Sequence, residues 1–166
     1  MTIRIRDKSP KTYFVAGMHQ SGTSMLSKAL KAIGIKIVAD DKPTFETRDF
    51  QVMNSFIISK GKGTWTEPPP AKVVNKIMKE EKPQMKYLVD KYKSKMWGFK
   101  DPRNCITGKG WLDLMEDDVY LVCIFRKRDR VIESLKRRDN FTSDRSGKIY
   151  DTYNKRLIKL IKDFVK

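Results

Sequence analysis

Residues 12–34 read TYFVAGMHQSGTSMLSKALKAIG, and this stretch decides the fold. Its first six residues are a short apolar run that ends in a glycine, which is typical of a strand. From Ser21 onward apolar residues recur at helical spacing and Gly34 supplies a C-cap, which predicts a helix over 21–34. A strand, a glycine turn and a helix N-terminus together form an anion site, because unpaired N–H groups and the positive end of the helix dipole meet there.

The turn inside this stretch, GMHQSGTS at 17–24, has the glycine spacing of the phosphate-binding loop G-x-x-x-x-G-K-[ST]. We expect Gly17 to permit the tight turn and Gly22 to let the backbone approach an oxyanion closely. Thr23 stands where ATP and GTP enzymes carry the lysine that reaches the β- and γ-phosphates. The loop therefore predicts a ligand with one phosphate group at this spot, and an ordinary turn with a serine N-cap is the alternative.

Strands and helices alternate along the rest of the chain. Apolar runs predict further strands at 35–39, 95–101 and 119–125, and we expect the last of them to be fully buried. Amphipathic spacing predicts helices at 47–61, at 71–93 with an interruption at Pro83, at 128–141 and over the C-terminal stretch.

This alternation predicts an α/β fold: three α/β/α layers around a central parallel sheet, of the P-loop nucleotide-binding type. A single domain is expected over 1–166, with residues 1–11 as a flexible N-terminus. Ligands of such sheets bind at the carboxyl ends of the strands, where 17–24, 100–103 and Arg126 fall.

Charge is the strongest feature of the composition. Lys and Arg number 36 against 20 Asp and Glu, which gives a net charge of +16. This excess predicts an anionic partner, which nucleic acid, an acidic glycan and a phosphorylated nucleotide all satisfy; a solvated lysine-rich surface is the alternative. Nucleic acid is the least favoured partner, because the sequence carries no zinc-finger, helix-turn-helix or aromatic RNA-binding signature.

Cysteine and histidine content bounds the compartment and the cofactors. Cys105 and Cys123 lack metal-ligand spacing and the only histidine is His19, so no metal site is expected. The sequence has no secretory signal and no apolar run of the ~20 residues that a membrane span needs. We therefore expect a soluble cytoplasmic protein without a membrane partner.

Four motifs, in order, resemble the sulfotransferases that use 3′-phosphoadenosine 5′-phosphosulfate (PAPS), especially small bacterial and viral-type members whose loop reads GMHRSGTS. The motifs cover most of residues 13–140 and read GMHQSGTSMLSKALKAIGI, FETRDFQVMNSFIISKGKGTWTEPP, WGFKDPR and VYLVCIFRKRDRVIESLKRRD. The resemblance implies a sulfotransferase that moves a sulfuryl group from PAPS to a hydroxyl or amine acceptor, releases adenosine 3′,5′-bisphosphate (PAP) and needs no metal.

The resemblance also implies roles for individual residues. The loop residues would bind the 5′ end of the donor, and they are Gly17, Gln20, Ser21, Gly22, Thr23 and Ser24. Arg126 and Ser134 would bind the 3′-phosphate, for which the planar fork of an arginine is well suited. Glu46 is the candidate general base and His19 the alternative. Lys100 is expected in the active site and Arg103 at an anionic acceptor, either an acidic glycan or a small molecule.

Gln20 departs from the family pattern, in which a Lys or Arg precedes the Ser-Gly-Thr of the loop. Loss of a cation at a transferring centre costs about 3 kcal/mol, or about 100-fold in rate. The departure predicts a slow enzyme, one that uses His19 or Lys100 instead, or a protein that binds without turnover. Two other classes stay open: a P-loop small-molecule kinase with Asp101 as its magnesium ligand, and a non-catalytic binder of nucleotide or nucleic acid.

Overall fold

A computed structural model of the chain describes residues 10–40, 45–116 and 118–165. Its strands are β1 (Lys11–Ala16), β2 (Lys36–Val38), β3 (Met96–Lys100) and β4 (Asp118–Cys123). Its helices are α1 (Thr23–Ala32), α2 (Arg48–Lys60), α3 (Ala71–Glu80), α4 (Lys82–Tyr92), α5 (Asn104–Leu112), α6 (Arg128–Asp139) and α7 (Ser143–Phe164). Residues 1–9 of the N-terminus that was expected to be flexible, and 41–44 of the loop before α2, lie outside the described residues.

The four strands form one parallel sheet in the order β2-β3-β1-β4. Val15 of β1 is in register with Lys100 of β3, and Ala16 of β1 is in register with Cys123 of β4. Three carboxyl ends therefore lie side by side at one edge of the sheet. The predicted α/β class with a parallel sheet is confirmed.

Side chains alternate between the two faces of the sheet, as a strand requires. Phe14 and Ala16 of β1 belong to the larger core, which the sheet shares with helices α2 to α7. Val15 faces the other way and packs with Leu30 of α1 in a smaller cluster. Helices on both faces of a parallel sheet are compatible with the predicted three layers.

The expectation that residues 119–125 form a fully buried strand is wrong. Among the described strands β4 pairs only with β1, so it is an edge strand. Tyr120 is 44% exposed, and Tyr13 stacks against its ring with centroids 5.0 Å apart. A continuous apolar run is therefore compatible with a half-covered edge, because the run does not reveal how many strand neighbours it has.

The predicted helix over 71–93 is two helices. α3 ends at Glu80 and α4 begins at Lys82, with Pro83 in its first turn. Proline is tolerated there because the N–H group it lacks would have no partner in the helix. No helix among the described residues is long and apolar enough to cross a membrane.

Helix α5 was not predicted. Its sequence, NCITGKGWL, holds two glycines, which ordinarily disfavour a helix. The glycines allow close packing: a Cβ at Gly108 would lie 2.5 Å from Leu160 of α7, and one at Gly110 would lie 2.5 Å from Met78 of α3. Tertiary packing therefore outweighs the low helix propensity of this segment.

A buried polar network joins α2 and α5 to the end of β1. The side-chain oxygen of Asn54 accepts hydrogen bonds from Thr107 (2.7 Å) and from the indole of Trp111 (2.8 Å). Its amide nitrogen donates to Asn104 at 3.2 Å, and Asn104 donates to the carbonyl of Val15 at 2.9 Å. The network fixes the position of the strand end from which the next loop departs.

Asn54→Leu should destabilise the protein by about 2–5 kcal/mol, because the indole N–H of Trp111 and the side-chain oxygen of Asn104 would be buried without a partner. Urea unfolding measures the change. Gln84→Leu on the exposed face of α4 is the control and should change the unfolding free energy by less than about 0.5 kcal/mol. An equal effect of the two substitutions would contradict the role of the network.

Candidate functional site

The loop between β1 and α1 (residues 17–22, the β1–α1 loop) is closed by its own hydrogen bonds. The backbone N–H and the hydroxyl of Ser21 both donate to the carbonyl of Met18, at 3.2 and 2.8 Å. Helix α1 starts at Thr23, two residues later than predicted, and its N-cap is Gly22, without a side-chain cap. The serine N-cap alternative is therefore wrong, and no side chain caps the first N–H groups of α1, so they can bind an anion.

Position 17 requires glycine because the residue after β4 leaves no room for a side chain there, and not because the chain makes a tight turn. A Cβ at Gly17 would lie 2.6 Å from Cγ2 of Ile124 and 2.9 Å from its carbonyl oxygen. The left-handed positions of the loop are Gln20, with φ 65°, and Gly22, with φ 99°. The loop therefore presses against the residues that follow β4.

Gln20 joins the two residues that were predicted at the 3′-phosphate. Arg126, after β4, donates from Nη1 to the backbone carbonyl of Gln20 at 3.0 Å. Ser134, in the second turn of α6, donates from its hydroxyl to Oε1 of Gln20 at 2.8 Å. Residues that lie 106 and 114 positions apart from Gln20 thus meet at the β1–α1 loop.

The turn that carries Arg126 is held by α7. The hydroxyl of Tyr150 donates to the carbonyl of Arg126 at 3.0 Å. Arg128 lies over the ring of Tyr150, with Cζ 5.9 Å from the centroid, and pairs with Asp151 at 3.1 Å. The C-terminal helix therefore positions a residue of the site.

Lys100 and Glu46 form an enclosed ion pair beside α1. Their Nζ and Oε1 atoms are 2.7 Å apart, and the side chains are 1% and 16% exposed. Lys100 also lies 3.5 Å from the hydroxyl of Ser24, and Glu46 accepts from Gln51 at 3.3 Å. Lys100 therefore places a positive charge next to the first turn of α1.

Asp101 stabilises the turn that follows β3. It accepts from the backbone N–H of Arg103 at 2.7 Å and from Nη1 of Arg103 at 3.1 and 3.2 Å. Burial raises the pKa of the Asp101 carboxyl, and the charge of Arg103 opposes this rise. Because Arg103 is engaged with Asp101, its predicted contact with an acceptor stays a prediction.

A pocket of about 280 Å³ opens where these elements meet. Its lining residues are His19, Gln20, Gly22, Thr23, Ser24, Glu46, Lys100, Pro102, Arg126 and Arg138. Most of the predicted site residues line it. The exceptions are Ser134, which bonds to Gln20; Gly17, which lies against Ile124; Ser21, which bonds within the loop; and Arg103, which pairs with Asp101. A larger, open groove of about 1390 Å³ follows α7 and shares no lining residue with the pocket.

His19 is held between aromatic rings at the wall of the pocket. Its ring centroid lies 4.5 Å from that of Trp65 and 5.6 Å from that of Tyr153. The Nε2 atom is enclosed and has no hydrogen-bond partner among the described residues. Burial, together with the charges of Arg103, Arg138 and Lys100, lowers the pKa of the His19 imidazole well below its usual value, so the ring is neutral at pH 7.

Two residues that shape the site were not predicted from the sequence. Arg138 lies four residues after Ser134, on the same side of α6, and helical spacing could have found it. Tyr150 reaches Arg126 from another helix, and no local pattern marks it.

Comparisons of the chain with protein-family models, with curated proteins and with solved structures found no match. Within the described ranges, no group of three or more His, Cys, Asp or Glu side chains is placed to hold a metal ion.

The neutral state of His19 gives a pH prediction with a definite sign. Because the folded pKa lies below the unfolded value, the unfolded chain binds the proton more tightly, and stability falls as pH drops below about 6.5. The loss should approach about 1.4 kcal/mol per pH unit, and His19→Gln should remove it. As His19 is the only histidine, its NMR titration is unambiguous; a midpoint at or above 6.5 would contradict the buried neutral ring.

Proposed function

We propose that the chain is a sulfotransferase of the P-loop type, which moves a sulfuryl group from PAPS to a hydroxyl or amine acceptor. The observation that carries this proposal is the meeting of Arg126 and Ser134 at Gln20, with distances of 3.0 and 2.8 Å. Both residues were expected at the 3′-phosphate of the donor from motifs far from the loop. These two residues meet at the loop that is expected to bind the 5′ end. Their convergence supports a single nucleotide ligand that carries phosphate groups at both its 3′ and its 5′ end.

The 5′ end of the donor would be bound by the first turn of α1. Its N–H groups and the hydroxyls of Thr23 and Ser24 provide donors, and the helix dipole adds positive potential. Lys100, 3.5 Å from the hydroxyl of Ser24, provides the charge that Gln20 does not. We assign to Lys100 the neutralisation of the negative charge that develops on the leaving 5′-phosphate.

The acceptor must lose a proton as it attacks. The acceptor oxygen or nitrogen bonds to sulfur, the bond from sulfur to the 5′-phosphate oxygen breaks, and the acceptor proton goes to a protein base. Glu46 is engaged by Lys100 and Gln51, whereas Nε2 of His19 has no partner among the described residues. Nε2 is also enclosed by the protein, so both Glu46 and His19 stay candidates for the proton acceptor.

The observed contacts disfavour the kinase alternative and are compatible with a non-catalytic nucleotide binder. Both oxygens of Asp101 are engaged by Arg103, which disfavours a kinase that needs this carboxylate for magnesium. A non-catalytic nucleotide binder is the second candidate, because Gln20 brings no charge to the loop and its side chain is held by Ser134.

PAP should raise the melting temperature of the protein, whereas ADP with magnesium and a nucleic-acid oligomer should not. At 100 times its dissociation constant, a ligand of the folded state adds about 2.7 kcal/mol of stability. Stabilisation by the magnesium nucleotide alone would contradict the proposal.

Arg126→Gln should weaken PAP binding by 10-fold or more and leave AMP binding unchanged, since AMP lacks the 3′-phosphate.

Gln20→Arg should raise the rate of PAP release from PAPS, by up to about 100-fold, because it restores a cation at the transferring centre. Gln20→Met, which is similar in size and uncharged, is the matched control and should not raise the rate. An unchanged or lower rate in Gln20→Arg would count against the role assigned to this position.

A further inference from the structure

We propose that the end of the pocket lined by Arg138 and His19 (the Arg138 subsite) binds an acceptor that carries an anionic group beside its reactive hydroxyl. The anionic group is a carboxylate, a phosphate or a sulfate. This inference rests on the proposed sulfotransferase function and adds to it the chemical class of the acceptor.

Trp65 packs against both lining side chains. Arg138 lines the pocket, and its Cζ lies 5.6 Å from the centroid of the Trp65 ring. Trp65 in turn lies 4.5 Å from His19, centroid to centroid. Since Arg138 follows Ser134 by one helical turn, the subsite adjoins the residues at Gln20 without overlapping them.

The side chains around the subsite are rigid because hydrogen bonds and a ring contact hold Trp65, on which they pack, in place. The hydroxyl of Tyr153, a fully buried residue, donates to the carbonyl of Trp65 at 2.8 Å. The guanidinium of Arg156 donates to the carbonyl of Pro69 in the same segment, and the ring of Phe141 lies 5.9 Å from that of Trp65. A surface fixed before binding loses little conformational entropy when a ligand packs on it.

The electrostatic balance of the pocket favours an anion. Arg138, Lys100 and Arg103 each disfavour the protonation of His19, so their charges act on the cavity although each has a carboxylate partner. Asp139 engages Nε and Nη2 of Arg138, at 2.8 and 2.7 Å. The Nη1 edge of Arg138 has no partner in the described part of the chain, and it can bind one further oxyanion.

The geometry assigns a task to each side chain. Arg138 binds the anionic group, and the Trp65 ring on which its guanidinium lies holds Arg138 in position. The acceptor hydroxyl then lies beside the sulfuryl group, and a protein base takes its proton as the bond from oxygen to sulfur forms and the bond from sulfur to the 5′-phosphate oxygen breaks. Arg138 is a positioning residue, since it touches only the part of the acceptor that does not react.

The test uses three probes of one sugar: glucose, glucuronic acid and glucose 6-phosphate, at constant ionic strength and with PAP saturating. Melting temperature is measured for the natural protein, for Arg138→Gln and for Arg137→Gln. Arg137 is the matched control: it is the exposed neighbour on α6, carries the same charge and does not line the pocket.

At least one charged probe should stabilise the PAP complex while glucose does not. Its dissociation constant should rise 5-fold or more in Arg138→Gln and stay unchanged in Arg137→Gln. Equal effects of the three probes, or equal effects of the two substitutions, would overturn the inference about the subsite. If PAP still stabilised the protein, the proposed function would be unaffected by that result. A failure of PAP itself to stabilise the protein would instead overturn the proposed function.

Discussion

The close packing of the β1–α1 loop against the end of β4 is the constraint on which the site depends. Gly17 has room only for hydrogen beside Ile124, and the N–H of Ile124 donates to the carbonyl of Ala16 at 3.1 Å. This bond extends the pairing of the two strands one residue beyond β4. Arg126 follows two residues later and reaches the carbonyl of Gln20. A larger residue at position 17 would separate the two segments and move Arg126 away from the loop.

The same edge of the sheet concentrates positive charge in a partly enclosed pocket. Lys100 is almost fully buried, and among the described residues that line the pocket Glu46 is the only one with a carboxylate. Burial is the main cause of the lowered pKa of His19, and these charges add to it because they repel a further positive charge. Perturbed ionisable groups in a cleft are typical of functional sites, since the unfavourable charge balance is relieved only when a ligand binds.

The local features of the fold could be predicted from the sequence, and its tertiary features could not. The strand, turn and helix of residues 12–34 follow from an apolar run, two glycines and helical spacing. The helix at 104–112 was missed because Gly108 is favourable only against Leu160, which is 52 residues away. Likewise, the motif order indicated that Arg126 belongs to the site, but the contact of Tyr150 that holds its turn depends on how α7 packs.

A crystal structure with bound PAP tests most directly whether one nucleotide spans the loop and the end of β4. We expect the 3′-phosphate to contact the guanidinium of Arg126 and the hydroxyl of Ser134 and to replace the bond between Ser134 and the Gln20 side chain. The 5′-phosphate should lie at the first turn of α1. A nucleotide whose 3′-phosphate lies away from both residues, with the bond between Ser134 and Gln20 intact, would contradict this expectation.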